Sequence, residues 1–372
     1  MVPSVSDMAR AMTNGEAQTN QSGSAPLAET LGDGAPALGR RLFRPHTLAS
    51  FLLGLLVLGL VFRQGFHLGW RAMWTNVAEA DAALLMLAFV VFYCSFPIRA
   101  LRWRTLLGNV GYGPAAGVSV PSTAGLTRIM YLAWFANCVT IARLGDAYRG
   151  YLLKKAAGVS FAVTLGTILA ERLLDLAVLA ALLSATIPVA FGGSLPQEAT
   201  GALLAGLALS VAGILGLLLM RRLRGVVERA LPARSHRLYE RLEHGAVDSM
   251  RHVPLLAVYS VAGWALESAS LYFVAASVGA QVTVAGAVVV ALIAALLAVV
   301  PFTFSGLGAA EGGMVLMLKW LGLATNAAAA VAILSRVISY WSIVFLGLVL
   351  YLYDTKNPVK ARLAPLDKRE ET

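Results

Sequence analysis

A chain of 372 residues that is 58% hydrophobic and only 13% charged cannot cover itself with a polar surface, since soluble domains are about 25% charged. Together with a mean hydropathy of +0.72 and a formal charge of +10, this argues against a soluble enzyme, a nucleic-acid-binding domain or a disordered scaffold. The bounding class is a polytopic membrane protein. The basic residues flank apolar runs, so their expected partner is an anionic lipid surface, and no nucleic acid is expected.

Residues 1–38 are rich in Ser, Gly, Ala, Thr and Asn and hold no apolar run of the signal-peptide kind. They are expected to form a disordered cytoplasmic tail. Arg40, Arg41 and Arg44 then precede the first apolar run. A spanning helix needs about 20 mainly apolar residues, and six stretches qualify: about 47–66, 81–98, 163–191, 199–220, 254–278 and 326–353. Two more apolar stretches are interrupted. The stretch 123–158 is broken at Ala142-Arg143-Leu144-Gly145-Asp146, and 283–322 is broken at Pro301-Phe302-Thr303-Phe304-Ser305-Gly306-Leu307-Gly308.

Positive charge threads these segments. The arginines at 40–44 place the N-terminus in the cytoplasm, and two spans return the chain to Arg99, Arg102 and Arg104, read as a cytoplasmic flank. If 123–158 is a re-entrant hairpin, Lys154 and Lys155 stay cytoplasmic. Two spans later the loop 221–252 carries eight arginines against four acids, again cytoplasmic and expected to lie on the membrane as an amphipathic helix. The second broken stretch then enters from outside, the last span returns, and a cytoplasmic tail follows over 356–372. The expected fold is therefore an all-α polytopic membrane protein in the plasma (inner) membrane, with both termini cytoplasmic. Within a transmembrane domain at 39–355 it is an inverted repeat of three spanning helices plus one re-entrant hairpin each, at about 45–191 and 199–353. Inverted repeats with broken helices are a transporter architecture. Supporting the repeat, Leu144-Gly145 matches Leu307-Gly308; Arg172 follows Gly145 by 27 residues, and Arg336 follows Gly308 by 28.

Ionisable residues inside apolar segments are costly, by a few kcal/mol each. This chain places the acids Asp146, Glu171, Asp175, Glu267 and Glu311 and the bases Arg143, Arg149, Arg172, Lys319 and Arg336 there. Glu171 and Asp175 lie four apart on one helix face and repel unless a cation sits near; Arg172, Arg336 or Arg143 is expected to supply it. Structural ion pairs alone would explain any one of these residues. Their convergence on two Gly-hinged breaks favours a substrate pathway, because arginine forks suit phosphate oxygens. Trp70, Trp74, Trp103 and Trp134 are expected to include interfacial anchors, and Trp264 and Trp341 to pack within the bundle. Cys94 and Cys138 offer no disulfide framework, the five histidines form no metal-ligand spacing, and no Walker motif is present, so no cofactor is expected.

Three stretches carry a resemblance: Asn137 with Arg143-Leu144-Gly145-Asp146 and Arg149; Glu171-Arg172 with Asp175; and Pro301, Gly306-Leu307-Gly308 and Glu311 with Arg336 and Tyr340. In these the chain resembles the flippase-like membrane domain of lysylphosphatidylglycerol synthases and its stand-alone relatives in bacterial and archaeal lipid and glycolipid pathways. It departs at Ile141, where the family usually has proline, and at Phe304-Ser305, where Pro-Gly is usual. The chain ends about 20 residues after its last span, so the aminoacyl-transferase activity of larger members is expected to be absent. The resemblance implies a flippase for an anionic or lipid-linked headgroup, with Arg143, Arg149, Arg172 and Arg336 on phosphate and Asp146, Glu171, Asp175 and Glu311 as their partners or as proton sites. The alternatives are an intramembrane transferase on a lipid-linked substrate, with Glu171 or Asp175 as general base, and an accessory lipid-presenting subunit. A membrane phospholipid or lipid-linked substrate is the expected ligand, and a homo-oligomer or a lipid-pathway enzyme the protein partners left open.

Overall fold

The computed structural model describes residues 70–113, 117–140, 144–192, 208, 211–217, 219–230, 232–298 and 306–356. The tail 1–38, the span 47–66, most of 199–210, Arg143, Pro301 to Ser305 and the tail from 357 lie outside the described residues. Among the described residues all regular structure is helical.

In chain order the helices are α1 (Trp70–Ala78), α2 (Ala82–Asn109), α3 (Thr123–Val139), α4 (Gly145–Ala157), α5 (Phe161–Phe191), α6 (Arg224–Ala230), α7 (Ala233–Glu243), α8 (Val253–Ser277), α9 (Val284–Ala298), α10 (Ala309–Trp320), α11 (Thr325–Arg336) and α12 (Ser342–Lys356). A π-helical turn, His244–Asp248, continues α7, and another, Val337–Trp341, joins α11 to α12. Caps explain several starts. Asp81 accepts from the N–H groups of Ala83 and Leu84, and Ser122 from that of Gly125. Ser160 accepts from the N–H of Val163 at the head of α5.

Three helical stretches are long and apolar enough to cross a membrane: Ala82–Asn109, Phe161–Phe191 and Thr325–Asp354. Their outer faces are apolar, with Met86, Val90, Val189 and Phe345 all exposed, as a lipid-facing surface requires. The expected span 254–278 forms the continuous helix α8, which lies against α2 along most of its length. Ser270 Oγ of α8 donates to the Ala88 carbonyl at 2.8 Å across that interface. Both broken stretches are present as broken helices: α3 packs on α4, and α9 on α10.

Three expectations are corrected. The basic segment 221–252 is not one surface-lying helix: it divides into α6, α7 and a π turn, and the last two dock on α5. The reason is a pair of glycines. A Cβ on Gly245 would meet the Val163 carbonyl at 2.1 Å, and one on Gly166 the Leu242 carbonyl at 2.3 Å, so only glycine allows this backbone approach. Its arginines Arg221, Arg222, Arg229, Arg237, Arg241 and Arg251 remain exposed. Lys319 is not an interior base, because it lies exposed in the last turn of α10. Third, Arg99 and Arg102 are not a solvated flank. α2 runs on through Pro97 for a further 12 residues, to Asn109, and carries both arginines into the bundle, where they are 3% and 0% exposed.

Candidate functional site

Six of the buried charges form one connected set. At its base, Glu171 of α5 is held by two arginines. Arg149 of α4 donates to both its oxygens, at 3.2 and 2.8 Å, and Arg102 of α2 donates at 2.8 Å. The Arg149 guanidinium lies over the Trp103 ring, 3.7 Å from its centre. One turn along α5, both oxygens of Asp175 accept from Arg102, which also reaches Ser260 Oγ of α8.

Arg99, one turn before Arg102 on α2, pairs with Glu267 of α8 at 2.7 Å and lies 3.9 Å from Asp175. Its guanidinium sits between two indoles, 4.7 Å from the Trp264 ring centre and 5.4 Å from that of Trp134.

Two further pairs belong to the breaks. At the first, the Gly145 N–H donates to Asn137 Oδ1 at 2.8 Å. A Cβ there would meet the Ala133 carbonyl at 2.0 Å, so the close turn from α3 into α4 needs glycine. This sets Asp146 in the first turn of α4, where it receives two hydrogen bonds from Arg172, at 3.1 and 2.7 Å. At the second, Gly306 and Gly308 have φ of +77° and +89°, which side chains rarely adopt. Glu311 in the first turn of α10 accepts from the Gly308 N–H at 2.7 Å with one oxygen and from Arg336 Nε at 2.7 Å with the other. Arg336 also lies over the Tyr340 ring at 4.7 Å, and the Tyr340 hydroxyl donates to the Cys138 carbonyl at 3.0 Å. The two breaks thus share a pattern. Each resumes in a helix whose first turn carries an acid, and each acid holds an arginine farther along the chain, by 26 residues in the first case and 25 in the second.

These pairs surround a cavity of about 390 Å3. Its charged wall is Arg99, Asp146, Arg172, Asp175, Glu267 and Arg336. Asn137 and Ser339 add polar atoms, and Phe92, Leu176, Leu179, Leu271 and Met314 an apolar side. Of the residues proposed from sequence, Asn137, Asp146, Arg172, Asp175 and Arg336 therefore reach the cavity. Arg149, Glu171, Glu311 and Tyr340 are buried behind it, and Gly306 and Gly308 shape the second break.

The cation expected beside Glu171 and Asp175 is not Arg172 or Arg336 but Arg102, with Arg149 on Glu171 and Arg99 near Asp175. Arg172 follows Glu171 directly, so it points about 100° away around α5 and meets Asp146 instead. Trp103 and Trp134 serve these arginines rather than a membrane interface, whereas Trp74 is exposed. Arg99 and Arg102 are members of the site that sequence reasoning did not place there, and Glu267, read as an interior acid, was given no role in it. The available signal was the spacing of Arg99 and Arg102, which share one helix face with Trp103 beside them.

Residues 47–347 match the family described as the lysylphosphatidylglycerol synthase TM region. Among individual proteins, a UPF0104 membrane protein of Methanocaldococcus jannaschii is 31% identical over 230 residues, covering 61% of this chain and 97% of that protein. A second UPF0104 membrane protein, from Methanothermobacter thermautotrophicus, is 24% identical over 316 residues, 79% of this chain and 89% of the relative. Glycosyltransferase AglD of Haloferax volcanii is 29% identical over 166 residues, which is 44% of this chain but only 24% of that protein.

Proposed function

The chain belongs to the lysylphosphatidylglycerol synthase transmembrane-region family, and on that premise we propose that it is a lipid transporter. It moves an anionic or lipid-linked headgroup between leaflets, with the cavity as the headgroup site. The observation that carries this reading is the composition of the cavity wall. Three arginines and three acids stand beside apolar side chains, a combination suited to a phosphate attached to an acyl or isoprenoid chain. Arg172 and Arg336 offer guanidinium forks to phosphate oxygens. In this reading α3–α4 and α9–α10 are hairpins entering from opposite faces, the two halves are inverted repeats, and both termini lie in the cytoplasm of the plasma membrane. The shared acid–arginine pattern at the two breaks supports the repeat. The exposed arginines of 221–252 rest on anionic lipid.

The test is leaflet translocation of a fluorescent phosphatidylglycerol by purified protein in liposomes, beside thermal stability. Arg336→Ala should abolish translocation while the protein stays inserted and folded. Arg336→Lys should restore it in part, because a point charge replaces a fork. Full translocation by folded Arg336→Ala sinks the role assigned to this residue. For topology, a cysteine at position 155 labelled only from outside would defeat the hairpin arrangement.

The name of the Haloferax volcanii relative favours a second reading, a transferase acting on a lipid-linked substrate. The geometry supports it less well. Each oxygen of Glu171 already accepts from a guanidinium, and Asp175 is bonded to Arg102 through both oxygens, so neither is poised as a general base. Mass spectrometry of lipid extracts incubated with sugar donors separates the readings. A new glycolipid formed by the purified protein would replace transport as the conclusion.

A further inference from the structure

The transport reading meets an obstacle in its own site, because every cavity arginine faces a carboxylate. A phosphate that enters must displace an acid from a guanidinium, and an acid left charged and unpaired inside the bundle is strongly unfavourable. The structure singles out the acid that gives way. Glu171 takes three hydrogen bonds from two arginines, and Asp175 takes two from Arg102 with Arg99 close by. Glu267 takes one, from Arg99, through a single oxygen. Its side chain is more open than those two, 16% exposed against 8% for Asp175 and 3% for Glu171, and although Asp146 is 25% exposed it takes two hydrogen bonds from Arg172.

Its partner is built to survive the exchange. The Arg99 guanidinium is gripped by the Trp134 and Trp264 rings, so it keeps its place when Glu267 lets go. Beside the cavity, Arg99 Nε and Trp264 Nε1 are buried N–H donors without a hydrogen-bond partner among the described residues. Buried donors rarely stay unmet, and both side chains line the cavity.

We infer that Arg99, Trp134 and Trp264 form a phosphate-oxygen subsite and that Glu267 takes up one proton as an anionic headgroup binds there. This rests on the transport reading and adds its coupling. The balance is simple. The Glu267 carboxylate gains H+ from water and becomes a neutral carboxylic acid. Its hydrogen bond from Arg99 passes to a phosphate oxygen, and the single negative charge that enters is matched by the proton. Glu267 is bonded to Arg99 and lies near Arg102 of α2 and Asp175 of α5, and it shares the cavity with Arg172 of α5, Arg336 of α11 and Asp146 of α4. α9 brings no titratable side chain, and α8 itself carries only Tyr259 and Tyr272 besides. Among these Glu267 is the carboxylate with the fewest donors to lose.

The experiment is proton uptake by the full chain in detergent, read with an indicator dye in weak buffer, on adding dihexanoyl phosphatidylglycerol. Its phosphodiester stays singly charged across the neutral range, so the probe itself contributes no proton. Wild type should take up about one proton per bound lipid, and its affinity should fall by up to about tenfold per pH unit over the window where Glu267 titrates. Glu267→Gln mimics the protonated acid; its uptake should vanish and its affinity should become flat with pH. Should that variant fail to fold, Arg99→Gln with Glu267→Gln removes the pair together and should also abolish uptake. Binding by wild type without uptake, or uptake retained in either variant, overturns the inference and leaves the transport reading standing. No phosphatidylglycerol binding by folded wild type overturns the anionic-headgroup reading and this inference with it.

Discussion

The guanidinium of Arg149 lies 3.7 Å above the centre of the Trp103 ring while it donates to both oxygens of Glu171. The ring therefore fixes the plane in which the fork meets the carboxylate. Arg149→Lys keeps the charge and loses both the fork and the stacked plane, and should lower unfolding stability by about 1–3 kcal/mol. Arg149→Ala should cost about 3–5 kcal/mol, because a buried acid loses one of its two arginines. A double change, Arg149→Met with Glu171→Gln, should recover much of that loss, and thermal unfolding in detergent gives all three values. Equal losses for Lys and Ala would show that the fork does not matter.

Glu311 both starts α10 and holds Arg336, and two variants separate these roles. Glu311→Gln keeps an acceptor for the Gly308 N–H but removes the charge; Glu311→Ala removes both. The gap in stability between the two reports the cap, expected at about 0.5–2 kcal/mol. Translocation should be impaired in both, because Arg336 loses its charged partner in each. Wild-type translocation by Glu311→Gln would show that Arg336 is positioned by other groups.

Gly145→Ala should be among the most damaging small substitutions in the chain. Its Cβ would overlap the Ala133 carbonyl at 2.0 Å and Asn137 Oδ1 at 2.5 Å, and such overpacking costs about 1–3 kcal/mol. The displaced turn also carries Asp146 away from Arg172, so the variant should lose translocation beyond its loss of melting temperature. Asn137→Ala removes one hydrogen bond and no space, and should cost less than Gly145→Ala. The reverse order would contradict the packing.

Acid should loosen the segment 221–252 first at Asp248. Burial pushes its carboxyl up, but hydrogen bonds from His244 and Arg221, and their charges, outweigh that and hold it below the ordinary carboxylate range. A depressed carboxyl contributes stability that is present above its unfolded value and lost as pH falls through the folded one. Hydrogen exchange of the π turn His244–Asp248 should therefore quicken as pH drops below about 4, after correction for the intrinsic rate. Asp248→Asn should show no such acid-dependent step. An identical step in the variant would assign it elsewhere.

The described helices α2, α5, α8 and α11–α12, both breaks and the acids of the site were legible in the sequence, because apolar runs, glycines and buried carboxylates leave local marks. Pairing was not. That Arg172 meets Asp146, and Glu171 meets Arg102 and Arg149, depends on how α2, α4 and α5 turn toward one another, and no spacing within one helix states it. Arg99 and Arg102 were misplaced for a physical reason. A hydropathy run ends where charges begin, but α2 continues 12 residues past Pro97 because its arginines find acids inside the bundle. The docking of His244–Asp248 on α5 was hidden likewise, since it rests on two glycines 79 residues apart in the sequence.

The charges of α5 also bear on how the protein is made. Insertion of a lone α5 would bring Glu171, Arg172 and Asp175 into lipid together, at about 2.5–3.5 kcal/mol for a central charge. Arg102 and Trp103 on α2, with Asp146 and Arg149 on α4, come earlier in the chain and so leave the ribosome first. When α5 emerges, the residues that pair with its charges have therefore already been synthesised. Glu267 arrives later and closes onto Arg99 from α8. Chain order thus sets two kinds of pair: Glu171, Asp175 and Glu267 are synthesised after Arg102 and Arg99, whereas Asp146 and Glu311 at the breaks wait for Arg172 and Arg336.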